Sequence, residues 1–280
     1  MKVDLRKSLF ILPNLFTLSS VLCGFYAIVI SATGPSNDDF YRAAILILFA
    51  MLFDTVDGRV ARLTRTQSAI GVQLDSLADL VSFGVAPALL VYQWSLEALG
   101  IIGLLTGFAY VAAGAVRLAR FNVVSTGEGG APKTPSKYIL GLPIPAAAGI
   151  LISLVAANHK LAGELPGSPW IVLAVVLGLS FFMVSTVRFR SFKDLRLSWR
   201  SIAFVSVAVL GTVAVALRFH IAFALAWLLG AYVAIGVAEA LFRASRRGLD
   251  RRRSTLEDEY DDEEPAADVQ EEAEQHGSAH

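Results

Sequence analysis

The stretch from Asp54 to Asp79, DTVDGRVARLTRTQSAIGVQLDSLAD, decides the fold, and it lies between the apolar runs LILFAMLF and LVSFGVAPALLVY. If both flanks are helical, Asp54 and Asp57 share one helix face because they are three residues apart. Asp75 and Asp79 share a face of the next helix because they are four apart. A short turn near residues 63–70 would bring the two faces together, so the sequence predicts that four carboxylates converge.

Carboxylates held this close to one another need cations, because like charges repel strongly outside bulk water. Carboxylate oxygens select hard divalent ions such as Mg2+, Mn2+ or Ca2+. The alternative is that these aspartates only cap two membrane helices at the interface with water. We prefer the metal site because acidic residues at membrane depth are costly and are usually functional. The predicted ligands are Asp54, Asp57, Asp75 and Asp79.

The composition is that of a polytopic membrane protein. Of the 280 residues, 55% are hydrophobic and 17% are charged, which is too apolar for a soluble domain of this size. We predict an all-α fold, a membrane helical bundle in which each span has roughly the ~20 residues needed to cross the hydrocarbon core. The eight predicted spans are residues 13–32, 40–62, 71–94, 98–120, 138–157, 169–187, 201–217 and 219–242.

Four segments follow from this pattern. Residues 1–12 mix charged and apolar positions, and we expect a short interfacial helix there. Residues 13–195 form a membrane domain around the aspartate stretch, and residues 196–250 add two further spans. Residues 251–280 are acidic and low in large apolar side chains, so we expect a disordered tail.

The distribution of charge predicts the topology. Eleven of the 24 acidic residues lie in the tail Glu257–Glu274, which leaves 24 basic and 13 acidic residues in the rest of the chain. Assigning loops alternately to the two sides places 21 basic residues on the side of the aspartate stretch and three on the other. By the positive-inside rule, we expect both termini and the active site in the cytoplasm, in a multi-pass protein of the cell membrane.

Cysteine and histidine contribute little to the predicted chemistry. The chain has one cysteine, Cys23, which excludes an intramolecular disulfide and a cysteine metal site. The four histidines lie on the predicted far side or in the tail, so we expect no histidine catalysis. No separate soluble domain is predicted, so any reaction must take place at the membrane.

The aspartate stretch has the spacing D-x-x-D-G-x-x-A-R-x8-G-x-x-x-D-x-x-x-D, with Gly58, Ala61, Arg62 and Gly71 at its other fixed positions. This spacing resembles the signature of the CDP-alcohol phosphatidyltransferases at every fixed position. The resemblance implies that CDP-diacylglycerol donates a phosphatidyl group to an alcohol while CMP leaves. It also implies that Gly58, Ala61, Arg62, Gly71 and Asp57 contact this donor.

A second element lies at the start of the first predicted span, at Pro13, Asn14 and Thr17. Helix capping is one explanation, since Asn14 and Thr17 are three residues apart near the membrane surface. The pattern P-N-x-x-T also resembles the part of the family that touches the cytidine nucleotide. That resemblance assigns Pro13, Asn14 and Thr17 to the binding of CDP-diacylglycerol.

Three looser segments, LARFN, GLPIPAAA and MVSTVRFRSFK, resemble the bacterial, membrane-integral phosphatidylserine synthase branch of the family. The resemblance covers about residues 8–195. It implies that L-serine is the acceptor, that the four aspartates hold two ions of Mg2+ or Mn2+, and that Asp79 is the general base. It further implies a homodimer in the lipid bilayer.

The acceptor remains open among anionic alcohols. A serine carboxylate needs a cation, and the candidates on the cytoplasmic side are Arg117, Arg120, Lys137, Arg188 and Lys193. Glycerol 3-phosphate or an inositol phosphate would be attracted by the same cations. A cation transporter is the alternative from another class, although it gives Arg62 and the P-N-x-x-T element no role. Basic residues this close to lipid meet headgroups or anionic substrates, so no nucleic-acid partner is predicted.

Overall fold

The computed structural model describes residues 5–34, 36–64, 68–125, 138–160, 168–185 and 188–190. The seventh and eighth predicted spans and the predicted acidic tail lie outside these residues. The elements are α1 (Leu5–Thr33), α2 (Asn37–Thr64), α3 (Ala69–Asp79), a π-helix (Leu80–Val85), α4 (Ala86–Trp94), a 3-10 turn (Leu96–Leu99), α5 (Ile101–Ser125), β1 (Tyr138–Leu140), α6 (Ile144–Lys160), α7 (Pro169–Val184) and β2 (Arg188–Arg190).

The described part is helical apart from one short pair of strands, which confirms the predicted helical fold. Three segments are long and apolar enough to cross a membrane, namely residues 13–33, 70–94 and 101–124. Helices α6 and α7 provide shorter apolar segments at residues 144–159 and 169–184. Helix α2 is not among the three, since acidic and basic residues interrupt its apolar run. The protein is therefore a membrane protein, and the count of eight spans stays a prediction.

The turn between α2 and α3 lies where the sequence predicts it. Helix α2 ends at Thr64 and α3 begins at Ala69, so the two halves of the aspartate stretch fold back on each other. Ser68 is the N-cap of α3, and its side-chain oxygen accepts a hydrogen bond of 3.0 Å from the backbone N–H of Gly71. A serine in this position satisfies one of the N–H groups that a helix start leaves without an intrahelical partner.

Two predicted boundaries are wrong. Residues 5–12 do not form a helix separate from the first span, because α1 runs from Leu5 to Thr33 with Pro13 inside it. Proline removes one backbone hydrogen bond from a helix interior, and here that loss does not end the helix. The placement of residues 5–12 at the membrane interface stays a prediction. The fifth span was predicted to begin at residue 138, whereas α6 begins only at Ile144.

The entry to α6 is extended because β1 pairs with β2 in an antiparallel register, with Ile139 opposite Phe189. Gly141 then adopts a positive φ of 77°, a conformation that side chains other than glycine rarely accept. A Cβ atom at this position would also collide with the carbonyl oxygen of Met183. Gly141 thus allows the chain to pass close to the end of α7.

The core is built from small residues where helices approach each other closely. Between α1 and α2 these are Ala27, Ala43 and Ala44, all at most 2% exposed. Helix α6 is buried along most of its length, with Ala147, Leu151 and Val155 at most 1% exposed. Large apolar side chains on the outside of α1 and α5 remain exposed, as expected for surfaces that face lipid.

Candidate active site at the aspartate cluster

The structure brings the two halves of the aspartate stretch together. Asp54 and Asp57 lie on α2, and Asp75 lies on α3. One carboxylate oxygen from each of these three residues lies within 4.8 Å of the others. Asp57 is the most buried member of this group at 4% exposed. The i, i+3 spacing in one helix and the short turn to the next produce this convergence.

Asp79 lies beside this group and contacts it through Asp54. Its side chain is in hydrogen-bond contact with that of Asp54, and its charge interacts with those of Asp54 and Asp75. Oδ1 of Asp79 is buried and has no hydrogen-bond partner among the residues that the structure describes. Two carboxylates in contact need a proton or a cation between them. The arrangement is therefore incomplete without one.

Thr17 of α1 is hydrogen-bonded to the aspartate cluster. Its hydroxyl lies 2.8 Å from Oδ2 of Asp57 and 3.1 Å from the carbonyl oxygen of Pro13. Both Thr17 and Asp57 are at most 6% exposed. A threonine hydroxyl has one proton, so it donates to one of these acceptors at a time. When Thr17 donates to Asp57, it fixes the orientation of the Asp57 carboxylate. Residues that hydrogen-bond to metal ligands commonly act in this way.

Asn14 and Gly71 meet at the first turn of α3. A Cβ atom on Gly71 would lie 3.1 Å from Oγ of Ser68 and 3.9 Å from Oδ1 of Asn14. The P-N-x-x-T element of α1 and the glycine of the aspartate stretch are thus neighbours. Pro13 is buried in the same part of α1, while Gly58 and Ala61 are half-buried on α2. Arg62 lies in the last turn of α2, and its side chain is outside the described residues.

Among the predicted cations whose side chains the structure describes, Arg117 is the one placed at the cluster. It is 8% exposed on α5, and its positive charge acts on Asp79. Its guanidinium carbon also lies 5.8 Å from the ring centroid of Phe121, within the range of a cation–π interaction. A buried arginine next to a buried carboxylate group supplies the positive charge that such a group requires.

Arg120, one turn further along α5, has different contacts. Its Nη1 donates to the carbonyl oxygen of Val184 at 2.9 Å, and its Nη2 donates to that of Ser185 at 3.1 Å. These two carbonyls lie at the C-terminal end of α7. The last C=O groups of a helix have no intrahelical partners, so they need partners from elsewhere. Arg120 therefore links α5 to the end of α7.

The other predicted acceptor residues are placed only in part. Arg188 lies in β2, where its backbone pairs with Leu140, and its side chain is outside the described residues. Lys137 and Lys193 also lie outside the described residues. The structure therefore brings together Asp54, Asp57, Asp75, Asp79, Thr17, Asn14, Gly71 and Arg117.

The comparison with protein families agrees with this geometry. The family model described as CDP-alcohol phosphatidyltransferase matches residues 10–184, which is more than half of the chain. The chain belongs to the CDP-alcohol phosphatidyltransferase family. The matched region contains the P-N-x-x-T element, all four aspartates and Arg117, and it ends with α7.

Two of the three curated relatives described here carry the same name. The chain is 34% identical over 234 residues to the CDP-diacylglycerol–serine O-phosphatidyltransferase of Helicobacter pylori, covering 84% of this chain and 92% of the relative. It is 34% identical to the protein of that name from Bacillus subtilis, covering 65% of this chain and 91% of the relative. An archaetidylserine synthase of Methanothermobacter thermautotrophicus is also 34% identical, over 64% of this chain and 69% of the relative.

The residues present fit the divalent metal that the CDP-alcohol phosphatidyltransferase family implies. Three carboxylates converge within 4.8 Å, and the donor set consists of oxygen atoms alone. Hard ions such as Mg2+ and Mn2+ prefer this set. The buried Oδ1 of Asp79 adds an acceptor that is not yet used by a described residue.

Sequence reasoning missed a polar bridge that holds α3 against α5. Nδ2 of Asn122 donates to Oγ of Ser76 at 2.9 Å and lies 3.4 Å from Oε1 of Gln73. Ser76 follows Asp75 directly, so the bridge holds α3 beside one of the predicted metal ligands. The position of Asn122 in the segment LARFN was a signal, since an amide at the end of an apolar span needs a partner.

Proposed function

We propose that the protein transfers the phosphatidyl group of CDP-diacylglycerol to L-serine, giving phosphatidylserine and CMP. The convergence of the aspartates from α2 and α3, with Thr17 bonded to Asp57, is the observation that carries this function. The names of relatives that match over most of their length support serine as the acceptor.

The reaction is a displacement at the phosphorus that carries diacylglycerol. The serine hydroxyl oxygen forms a bond to this phosphorus while the bond to the bridging oxygen of the diphosphate breaks. CMP leaves with that oxygen, and the serine hydroxyl proton must pass to a base. We assign the base to Asp79, because its Oδ1 is buried, accepts no bond from a described residue, and lies beside the other carboxylates.

We propose that Asp54, Asp57, Asp75 and Asp79 hold two divalent ions, Mg2+ or Mn2+. Such ions supply charge neutralisation of the diphosphate and lower the pKa of a nearby hydroxyl. The role of the chain is to keep the carboxylates in one orientation. Thr17 does this for Asp57 by a hydrogen bond, and the Asn122–Ser76 bridge does it for the turn of α3 that carries Asp75.

For the donor, we propose that Asn14 and the first turn of α3 bind the cytidine end of CDP-diacylglycerol. Gly71 supports this assignment, since it leaves space between Ser68 and Asn14 that a side chain would fill. Thr17 acts through Asp57 in addition to any contact with the nucleotide. The further donor residues in this proposal are Pro13, Asp57, Gly58, Ala61 and Arg62.

For the acceptor, we propose that Arg117 binds the serine carboxylate. It combines burial with a position at Asp79, so an acceptor bound there would present its hydroxyl to the base. Lys137, Arg188 and Lys193 remain candidates on the same side of the membrane. Arg120 serves the acceptor site indirectly, because its side chain binds the carbonyls at the end of α7.

The topology and assembly follow from the charge distribution and the family. We propose a multi-pass protein of the cell membrane, with both termini and the aspartate cluster in the cytoplasm. The substrates would be CDP-diacylglycerol in the bilayer and L-serine from the cytoplasm, and the enzyme would be a homodimer.

One experiment separates the candidate acceptors. The purified protein is incubated with CDP-diacylglycerol and, in parallel, with L-serine, glycerol 3-phosphate or inositol 1-phosphate, and the lipid product is identified by mass spectrometry. We expect phosphatidylserine with an equal amount of CMP. If a lipid product forms only with another acceptor, that acceptor takes the place of serine in the proposed reaction. If no CMP forms with any acceptor, the result favours a cation transporter.

A further inference from the structure

The helix that carries Asp75 and Asp79 changes its geometry directly after Asp79. The π-helix Leu80–Val85 follows, and it ends where the backbone N–H of Ala86 bonds to the carbonyl oxygen of Val81, five residues earlier. Turns of this kind are rare, and they frequently occur at functional sites. The widening leaves three consecutive residues buried, Ser82, Phe83 and Gly84.

Pro87 explains why the helix widens at this point. It lies four residues after Phe83, in the first turn of α4. Proline has no N–H group, and its ring clashes with the carbonyl four residues earlier in an α-helix. The carbonyl of Phe83 therefore cannot have its ordinary helical partner. A local change to π geometry accommodates the proline without ending the span.

Tyr110 of α5 binds the carbonyl that Pro87 frees. Its hydroxyl donates to the carbonyl oxygen of Phe83 at 3.2 Å, and its side chain is fully buried. A buried carbonyl without a partner is costly, and neighbouring helices are one source of partners in membrane proteins. Tyr110 therefore allows the π-helix to exist inside the bundle.

Helix α1 holds the other side of the π-helix. The hydroxyl of Ser82 donates to the carbonyl oxygen of Ser20 at 3.0 Å. The two backbones approach so closely that a Cβ atom on Gly24 would lie 2.8 Å from Cα of Ser82. The π-helix is thus fixed between α1 and α5. The same two helices contribute Thr17 and Arg117 to the aspartate cluster.

The direction of Asp79 depends on this geometry. An extra residue in one turn rotates the preceding helix by about 100° relative to an uninterrupted α-helix. We propose that Tyr110 and Pro87 are positioning residues for phosphatidyl transfer, since together they maintain the π-helix that directs Asp79 toward Asp54. This positioning role concerns the assembly of the aspartate cluster. Only its expected effect on the reaction rate rests on the proposed function.

The first test replaces Tyr110 with phenylalanine, which removes only the hydroxyl group. Binding of Mn2+ to the purified protein without substrates is measured by electron paramagnetic resonance, and kcat and KM are measured separately. We expect Tyr110→Phe to weaken Mn2+ binding and lower kcat, each about tenfold, while KM for serine changes less than about twofold. The matched control is Tyr26→Phe, because Tyr26 is 53% exposed on α1 and should behave as wild type.

The second test restores the missing N–H group with Pro87→Ala. The helix can then close as an ordinary α-helix, so we expect an unfolding temperature at or above that of wild type. We nevertheless expect weaker Mn2+ binding and a lower kcat, because Asp79 rotates away. The double variant Tyr110→Phe/Pro87→Ala should regain any unfolding temperature that Tyr110→Phe loses, without regaining Mn2+ affinity. Pro169→Ala, at the first turn of α7, is the control.

The outcomes separate positioning from mere stability. A Tyr110→Phe protein with a lower unfolding temperature but wild-type Mn2+ affinity and kcat would overturn the proposal, as would a fully active Pro87→Ala protein. If Tyr110→Phe does not fold, Pro87→Ala decides the question alone. If the variants weaken Mn2+ binding while wild type makes no phosphatidylserine, the positioning role stands and the proposed function fails.

Discussion

Each half of α2 carries a pair of aspartates, and the two pairs have different surroundings. At the start of the helix, Asp39 binds the hydroxyl of Ser36 and lies 3.4 Å from Arg42, while Asp38 lies 3.6 Å from Nδ1 of His159. These acids also suit the positive end of the helix dipole. They have the partners that structural aspartates need.

In the second half of α2, roughly 23 Å away along the helix, Asp54 and Asp57 face further carboxylates. Their neighbours are Asp75 and Asp79, and the one described hydroxyl that binds Asp57 is that of Thr17. Four carboxylates with one described arginine beside them, Arg117, leave an excess of negative charge, and holding that charge away from water costs free energy that folding alone does not recover. The comparison indicates that the acids at the start of α2 serve the fold and that the acids in its second half serve a bound cation and a reaction.

The strongest way to test this difference is to neutralise one acid of each pair. We expect Asp57→Asn to lower kcat about 100-fold to 1,000-fold, the loss typical of removing a group that stabilises charge in the transition state. Asp38→Asn should keep wild-type kcat. The measurement is phosphatidylserine formation per folded protein in detergent. Equal losses in both variants would remove the distinction.

Thr17 provides a sharper test because it acts on a ligand rather than as one. Thr17→Val removes the hydrogen bond to Asp57 with little change of shape, and we expect Mn2+ affinity to fall about 10-fold to 100-fold. Thr17→Ser keeps the hydroxyl and should recover most of the affinity. Thr33→Val is the matched control in the last turn of α1, where the hydroxyl donates to the carbonyl of Val29. Wild-type Mn2+ affinity in Thr17→Val would show that the bond to Asp57 is incidental.

Arg117 and Arg42 extend the comparison to the basic residues. Losing a charge-assisted hydrogen bond costs about 1.5–3 kcal/mol, so we expect Arg117→Ala to raise KM for serine roughly tenfold to a hundredfold. The affinity for CDP-diacylglycerol should change much less. Arg42→Ala removes an exposed partner of Asp39 and should leave both constants unchanged. If Arg117→Ala instead weakens donor binding and leaves KM for serine alone, Arg117 serves the diphosphate.

The smallest effect is expected for Asp39 itself. Asp39→Asn removes the pair with the exposed Arg42, and exposed ion pairs contribute less than about 1 kcal/mol. We therefore expect a small decrease in the unfolding temperature and an unchanged kcat. A thermal unfolding scan beside a rate measurement checks both. A large loss of kcat would mean that the two aspartate pairs of α2 are coupled.

The aspartate cluster was predictable because helix geometry converts sequence spacing directly into a shared face. Asp54 and Asp57 needed only a helix and a nearby turn to meet Asp75. The start of α6 was not predictable from hydropathy, because the extended β1 segment depends on pairing with β2, about 50 residues later in the chain. Long-range pairing leaves no periodic signal in a single segment.

The roles of individual polar residues were harder to predict. Arg120 and Arg117 have the same sequence features. Their contacts differ because the end of α7 packs beside Arg120 and accepts its hydrogen bonds. The π-helix had one signal, Pro87 inside an apolar run, but the residue that binds the freed carbonyl comes from another helix. Side-chain partners across helices depend on packing, which spacing alone does not determine.

The central claim is that the aspartate cluster uses a divalent cation to transfer a phosphatidyl group to serine. The most direct measurement follows CMP and phosphatidylserine in the same reaction of the purified protein, first with excess EDTA and then with Mn2+ added back above the chelator. We predict no product with EDTA and equal recovery of both products with Mn2+. Full formation of phosphatidylserine in EDTA would contradict the account.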